Sequence, residues 1–286
     1  MRPRPAVVGG VLALLLGVTS MALAADEPQS HVIKLLAEGQ PAIGIWTGAL
    51  NAPRIAKVLA TSDADFIVAD VEHEIYDFNA LHAFLLEVPD FSTRYRTTPR
   101  PTPGVLVKLA HRGGWDPRYE ISEAMRVGPA LGVWIPIVES GAEVAQAVAT
   151  FHQAEQAGLE GMNVTSQGMH TGVSVLWPQN PEGHAMVVAM IETEEGVRHA
   201  EEIISTPGLS AVHVVHLSDA DDAMILALCQ KYHVIPGIDA TPQDVRAKVA
   251  AGWRLISLGW DFDMVAKQLG DTIKSVRSAI AGGGGR

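Results

Sequence analysis

Four stretches of this chain carry residue types that could do chemistry together. The first is Asp70-Val71-Glu72-His73-Glu74, where three acids flank one histidine within five residues. A neutral imidazole held by a carboxylate is a general base near pH 7, and the same residues also suit a solvated polar turn. The second is Val105-Leu106-Val107-Lys108, an apolar run closed by a lysine and followed by His111 and Arg112. An ammonium there could neutralise an anionic substrate or an enolate oxygen, form a Schiff base, or snorkel to solvent.

The third stretch is Met190-Ile191-Glu192-Thr193-Glu194. Glu192 directly follows an apolar run, which suits a ligand for a hard divalent cation. Glu194 and Glu195 fit better as first-turn acids favoured by a helix dipole. The fourth is His213-Val214-Val215-His216-Leu217-Ser218-Asp219. Here Asp219, or failing that His216, could complete a metal site with Glu192, a carboxylate suiting a hard cation and an imidazole a later transition metal. Ser218 reads foremost as a helix cap, with Asp219, Asp221 and Asp222 in the first turn.

Positioning these groups requires a scaffold, and the chain supplies a regular one. Eight short apolar runs recur: Ala42–Trp46, Phe66–Asp70, Val105–Leu109, Val133–Ile137, Met186–Glu192, Ala211–Leu217, Val234–Ile238 and Leu255–Trp260. Amphipathic segments alternate with them: Ala52–Thr61, Phe78–Val88, Pro117–Val127, Ala142–Ala157, Glu194–Ser205, Ala220–Tyr232, Pro242–Ala251 and Phe262–Ile280. Continuously apolar strands separated by helices mean a parallel sheet buried on both faces. Eight such units predict an α/β fold, a (β/α)₈ TIM barrel, in which chemistry sits at the carboxyl ends of the strands. An open doubly wound sheet is the alternative, but no Gly-x-Gly-x-x-Gly follows the first run. Asp239 and Asp261, at the ends of runs seven and eight, read as helix caps. His82, His152 and His199 read as surface or packing residues. Phe91–Gly104, with three prolines, and Gly158–Gly183, with five glycines, read as long loops.

Composition narrows the function. With 48% apolar residues the chain can build a large core, and with net charge −11 and no basic cluster it is a poor nucleic-acid binder. One cysteine, Cys229, excludes an internal disulfide and a cysteine-based zinc site. Residues 1–24 have the layout of a secretory signal: Arg2 and Arg4, an apolar small-residue stretch, then Ala22-Leu23-Ala24. Cleavage after Ala24 would leave one barrel domain, 25–286, exported to the periplasm and free of the membrane; a retained anchor is the competing reading.

From Gly44 to about Leu269 the chain resembles the pyruvate-dependent class II (metal) aldolases typified by 4-hydroxy-2-oxoheptanedioate aldolase, in the aldolase/citrate lyase β-chain group. The matching pieces run in order: Gly44-Ile45-Trp46, Phe66 to His73, Trp115-Asp116-Pro117, Ile135-Pro136-Ile137-Val138-Glu139, Ile191-Glu192-Thr193-Glu194-Glu195-Gly196, Pro236-Gly237-Ile238 and Leu258-Gly259-Trp260-Asp261. The resemblance implies a TIM barrel in which a divalent metal, Mg²⁺, Mn²⁺ or Co²⁺, holds a 2-oxo acid such as pyruvate that reacts with an aldehyde. It implies that Glu192 is the metal-binding glutamate, His73 the catalytic histidine and Asp70 its acidic neighbour. It places Lys108 where the family has an arginine that steadies developing charge. Met190 takes the position of a substrate-facing glutamine, and Ser218 that of the second metal ligand, so that Asp219 reaches it only with a one-residue shift. Gly158-Leu159-Glu160-Gly161 exchanges a cation for an anion in a substrate loop, and Met125-Arg126 replaces a supporting aspartate. These departures leave a second expectation open: an exported barrel that has lost aldolase chemistry and binds a small anionic ligand. The resemblance also implies a homo-oligomer whose last helix packs on a neighbour. The stripe Met264, Val265, Leu269, Ile273, Val276 and Ile280 fits that role, or the covering of its own barrel.

Overall fold

In a computed structural model the chain is described over residues 30–73, 76–95, 97, 100–110, 116–126, 130–150 and 176–282. Eight parallel strands close in sequence order into a barrel. They are β1 (Ala42–Thr47), β2 (Phe66–Asp70), β3 (Gly104–Lys108), β4 (Ala130–Ile135), β5 (Met186–Ile191), β6 (Ala211–Val214), β7 (Ile235–Asp239) and β8 (Leu255–Trp260). Each coincides with one of the eight apolar runs. The helices are α1 (His31–Ala37), α2 (Pro53–Thr61), α3 (Phe78–Tyr95), α4 (Pro117–Arg126), α5 (141–150), α6 (Glu194–Arg198), α7 (Ala200–Ile204), α8 (Asp219–Tyr232), α9 (Val245–Ala251) and α10 (Asp261–Gly282). The fold is the (β/α)₈ barrel. The 1–24 segment, His152 and the 158–161 loop lie outside the described residues.

Strand side chains alternate between the two faces of the sheet, and this alternation divides the core in two. Ile67, Ala69, Val105, Val107, Val133, Ile135, Val187, Ala189, Val212 and Ile256 face outward and pack against the helices. Phe66, Val68, Leu106, Trp134, Met186, Val188, Ala211 and Leu255 face inward. Helix α1 plugs the amino-terminal end of the barrel with Val32, Ile33 and Leu36, which join the inward cluster. Continuing the inward parity to the carboxyl ends of the strands reaches Asp70, Lys108, Met190, His213, Asp239 and Ser257. The strand register sets Asp70 beside Lys108, Met190 beside His213, and Asp239 beside Ser257. The same face is a packed floor below and a polar mouth above.

Two glycines make the interior possible. A Cβ on Gly44 would fall 2.2 Å from the Phe66 ring, so the fully buried ring fills the space of the absent side chain. Gly132, at φ +150°, lies where the register of β4 against β3 shifts, and a Cβ there would stand 1.9 Å from the Met186 carbonyl oxygen.

The helices depart from expectation in two places. Helix α3 runs through Pro89 to Tyr95, where a stop at Val88 and a loop from Phe91 were expected. The proline costs one backbone bond, while Val88 and Ser92, buried on either side of it, hold the helix to the core. The segment after β5 is two short helices divided at His199, whose ring Nδ1 lies 2.8 Å from the Glu139 carbonyl oxygen. Helix α10 leaves its stripe uncovered by its own barrel: Val265, Leu269, Ile273, Val276 and Ile280 are each at least half exposed and Met264 is 38% exposed. Among the described residues no helix is long and apolar enough to cross a membrane. Cys229 is buried on α8, and burial pushes its thiol up to about 12, so it is inert as a nucleophile.

Because Gly132 is constrained both by its φ and by the Met186 carbonyl, Gly132→Ala is expected to destabilise the barrel by about 3 kcal/mol or more. Urea unfolding followed by circular dichroism measures this, and an unchanged midpoint would contradict the assigned packing.

Candidate active site at the barrel mouth

The strongest constellation joins the ends of β2 and β3. Asp70 is fully buried, and its Oδ1 accepts the backbone N–H groups of Glu72 (2.7 Å) and His73 (2.9 Å). This Asx-type turn folds the chain back at the strand end and brings the His73 ring over the carboxylate. Nδ1 of His73 lies 2.9 Å from Asp70 Oδ2. Lys108, only 2% exposed, directs its ammonium into the same corner. Its Nζ is 2.6 Å from Glu72 Oε2, 3.2 Å from Asp70 Oδ2 and 3.3 Å from His73 Nδ1. The shorter contact to a carboxylate assigns the imidazole proton to Nδ1, donated to Asp70. That leaves the lone pair on Nε2, and the His73 side chain is 57% exposed at the mouth.

Aromatic rings wall this corner. The Lys108 ammonium stands over the Trp46 ring, 5.4 Å from its centroid. Trp46 meets Trp134 edge-on at 5.0 Å and lies 5.9 Å from Trp260, whose ring meets His73 edge-on at 5.8 Å. The Trp46 indole N–H donates to the Ser257 hydroxyl, and Ser257 donates to Asp239 Oδ1 at 2.6 Å. Burial alone would raise the Asp239 carboxyl, but the His213 imidazole, the Ser257 hydroxyl and nearby His216 hold it below the usual carboxylate range. His213 is fully buried, its Nε2 3.4 Å from Asp239 Oδ1, and neither ring nitrogen makes a hydrogen bond to the described residues. Gly237, its neighbour on β7, leaves room for that ring: a Cβ there would come within 3.0 Å of His213 Cδ2.

Glu192 follows β5 and is partly buried. Its Oε1 accepts the Ile137 N–H at 2.9 Å, and Ile137 adopts φ 51°, which turns that N–H toward the carboxylate. Thr193 caps α6 by accepting from the Gly196 N–H and donates to Glu139 Oε1 at 2.9 Å. Glu192 is thus oriented from its main-chain side, as metal-binding carboxylates are when a neighbouring donor fixes one oxygen. Met190 lies in the inward core beside Val188 and Trp134. Ser218 caps α8, accepting from the Asp221 N–H and donating to Asp221 Oδ2 at 2.6 Å, and Asp219 is the exposed first residue of that helix. His216 is exposed at φ 56°.

The structure therefore brings Asp70, His73 and Lys108 into direct contact. Glu192 is oriented at the end of the neighbouring half of the barrel, and Ser218 and Asp219 stand at the start of α8. Sequence reasoning quoted Glu72 and His213 within their stretches without giving either a role, and missed Trp46, Ser257 and Trp260 as parts of the mouth. Asp239 corrects its expected role: it faces inward to Ser257, and α9 begins only at Val245. Asp261 opens α10 as expected, accepting the Phe262 N–H, and also takes the Thr47 hydroxyl at 2.8 Å. His82 and His199 are packing residues, bonded to the carbonyls of Glu123 and Glu139. Glu120, buried on α4, accepts from the Tyr76 hydroxyl and the Ala110 N–H and so ties together the chain after β2 and after β3. Inward parity at strand ends was the signal that would have found His213, Asp239 and Ser257.

Among the described residues, Asp70, Glu72 and His73 form one group with ligand atoms close enough to hold a metal ion, all within 4.8 Å of one another. The Lys108 ammonium already supplies the positive charge in that corner. A dication fits the donor chemistry of Glu192 better, where the carboxylate faces a main-chain N–H rather than a cation.

The chain is 26% identical over 189 residues to the hydroxypyruvate/pyruvate aldolase of Sagittula stellata, covering 66% of this chain and 68% of that one. It is 23% identical over 260 residues to the 5-keto-4-deoxy-D-glucarate aldolase of Escherichia coli, covering 84% and 94%. The crystal structure of a HpcH/HpaI aldolase/citrate lyase family protein from Burkholderia cenocepacia superposes with TM-score 0.68 at 20% identity, over 87% of this chain and all of the other. The profile of the HpcH/HpaI aldolase/citrate lyase family matches residues 43–283, and the chain belongs to that family.

Proposed function

We propose that this enzyme is a metal-dependent carbon–carbon lyase that cleaves a 4-hydroxy-2-oxo acid to pyruvate, or a related 2-oxo acid, and an aldehyde. The observation that carries the reading is the corner in which a carboxylate-held imidazole and a buried ammonium meet at the ends of β2 and β3. Membership of the aldolase/citrate lyase family supports it.

The residues divide the work. Glu192, with Asp219 as second carboxylate and His216 as alternative, would hold a divalent cation of the Mg²⁺ or Mn²⁺ type. Bound there, the cation would supply Lewis acidity to the substrate. His73 Nε2 takes the proton of the C4 hydroxyl, its ring fixed by Asp70. The C3–C4 bond breaks, its electron pair passes into the C2–C3 enolate, and the C4 fragment leaves as an aldehyde. Lys108 stabilises the negative charge that develops on the enolate, and the imidazolium returns its proton to C3 to give the methyl group of the 2-oxo acid. Met190 and Ser218 line the substrate side of this proposal.

Three variants test it together. Glu192→Gln is expected to abolish high-affinity Mn²⁺ binding and turnover. His73→Ala is expected to keep Mn²⁺ binding and lose turnover. Lys108→Ala is expected to weaken anion binding and slow enolate formation by about 100-fold, the loss typical of one charge-stabilising donor. Mn²⁺ titration by electron paramagnetic resonance, with pyruvate formation followed by coupled assay, reads all three. Mn²⁺ bound as tightly by Glu192→Gln as by the parent would transfer the reading to a barrel that binds a small anionic ligand without this chemistry.

We propose further that the protein is a homo-oligomer, with the exposed stripe of α10 packed on a neighbouring copy. The apolar faces of Val265 and Leu269 border a groove of about 650 Å³ together with Leu50 and Ile55. Multi-angle light scattering is expected to give an oligomer at micromolar concentration, and Leu269→Glu with Ile273→Glu is expected to shift it toward monomer. A parent that is monomeric ends this proposal.

The signal-like layout of 1–24 supports export, with a mature amino terminus at or near Ala25. Mass spectrometry of the protein from its native host is expected to find that terminus, and an intact Met1 on a cytoplasmic protein would refute export.

A further inference from the structure

The inner face of the β6–β8 half of the barrel carries a directed chain of polar groups that ends beneath Lys108. Asp239 at the end of β7 accepts from the Ser257 hydroxyl at 2.6 Å, and Ser257 on β8 accepts from the Trp46 indole N–H. Trp46 on β1 presents its ring to the Lys108 ammonium, 5.4 Å from the centroid. Each link has one direction: an indole N–H can only donate, and an ionised carboxylate can only accept. Ser257 is therefore held as acceptor from Trp46 and donor to Asp239, and the indole is locked about its ring plane. Ser257 is fully buried and Trp46 nearly so, so neither polar atom is served by bulk water. A second contact sets the far end of the chain. The His213 Nε2 lies 3.4 Å from Asp239 Oδ1, in a ring space that Gly237 keeps open.

Lys108 needs such a wall. Glu72 and Asp70 draw its ammonium to one side, at 2.6 and 3.2 Å. The Trp46 π-face gives it a second attraction besides the carboxylates. The distance of that charge from the reacting oxygen decides its value in the transition state.

We propose that Ser257 and Asp239 are positioning residues for Lys108, acting through the Trp46 indole, so that the β7–β8 side of the barrel tunes charge stabilisation at the β2–β3 corner. The proposal rests on the reading of Lys108 as the group that steadies the enolate, and two separate readouts keep the two ideas apart. The first is independent of activity. In protein labelled with 5-fluorotryptophan, the ¹⁹F resonance of Trp46, one of six tryptophans and assigned by its loss in Trp46→Phe, is expected to move in Ser257→Ala, in Asp239→Asn and in Lys108→Met. The second is exchange of the methyl protons of pyruvate for deuterium with Mn²⁺ present. Ser257→Ala is expected to lower the maximal exchange rate about tenfold while the pyruvate KM and the Mn²⁺ affinity change little. Adding Ser257→Ala to Lys108→Met is expected to cost nothing further, since groups that act as one unit are not additive. Thermal melts accompany every variant, and Lys108→Gln replaces Lys108→Met in the cycle if the latter does not fold.

A Trp46 resonance unmoved by both Ser257→Ala and Asp239→Asn overturns the proposal. So does a loss in exchange that adds in full to that of the Lys108 variant. A parent protein that exchanges no pyruvate protons defeats the enolate reading instead, and the response of the Trp46 resonance then decides the positioning role alone.

Discussion

One buried charge organises the mouth of this barrel. Lys108 ends an apolar strand with its ammonium almost wholly removed from water. An isolated ammonium in that position would cost several kcal/mol, and burial is tolerated only when partners and hydrogen bonds compensate it. Asp70 on the neighbouring strand and Glu72 beyond it supply those partners. Their placement has further consequences. To face Lys108, Asp70 Oδ2 must point into the barrel, and Oδ1 then meets the N–H groups of Glu72 and His73. The turn that results sets His73 above the same carboxylate. The ion pair, the turn and the orientation of the imidazole are one solution to one problem of solvation.

The barrel explains why that solution is available. Inward-facing positions recur at every second residue, and at the closed end they are Phe66, Val68, Leu106 and Leu255, a floor without polar demands. At the open end the same parity delivers Asp70, Lys108, Asp239 and Ser257. Trp46 and Trp134 sit between the two levels, large enough to fill the barrel and, in the case of Trp46, able to use its N–H toward Ser257. The Trp134 indole nitrogen has no hydrogen-bond partner among the described residues, so the two rings differ in polar accounting as well as in place. Glu192 stands apart from the ion cluster and is oriented by a main-chain N–H from Ile137. Charge at the mouth is thereby divided between a corner that carries its own cation and a carboxylate held by a main-chain donor.

Much of this was legible in the sequence, and the reasons are physical. The eight strands announced themselves because parallel strands are apolar on both faces and the helices between them are not. Asp70, His73, Lys108 and Glu192 were legible because strand ends in such a barrel face the mouth. The Ser257–Trp46 bond was not, because it joins β8 to β1 across the closure of the barrel, and no local pattern encodes that contact. Asp239 was read as a helix cap because capping is what an aspartate before a helix ordinarily does. Its inward parity, shared with Gly237 on the same strand, carried the better reading. Pro89 misled for a related reason: local chemistry favours a stop there, whereas the buried neighbours Val88 and Ser92 pull the helix on. Local rules failed where a long-range contact decided the outcome.

The choice of lysine over arginine at the end of β3 follows from the same geometry and has a cost for recognition. A compact ammonium can satisfy Glu72 and Asp70 within one corner and still meet the Trp46 face. A planar guanidinium needs its partners arranged in a fork and would demand more room between the β2 turn and the tryptophan wall. The gain is a point charge that can be enclosed and oriented by a wall. The loss is the two-pronged grip by which a guanidinium holds a carboxylate. A carboxylate entering this mouth would meet at Lys108 a point charge already shared with Asp70 and Glu72 and offering no fork, so its orientation would rest on other donors.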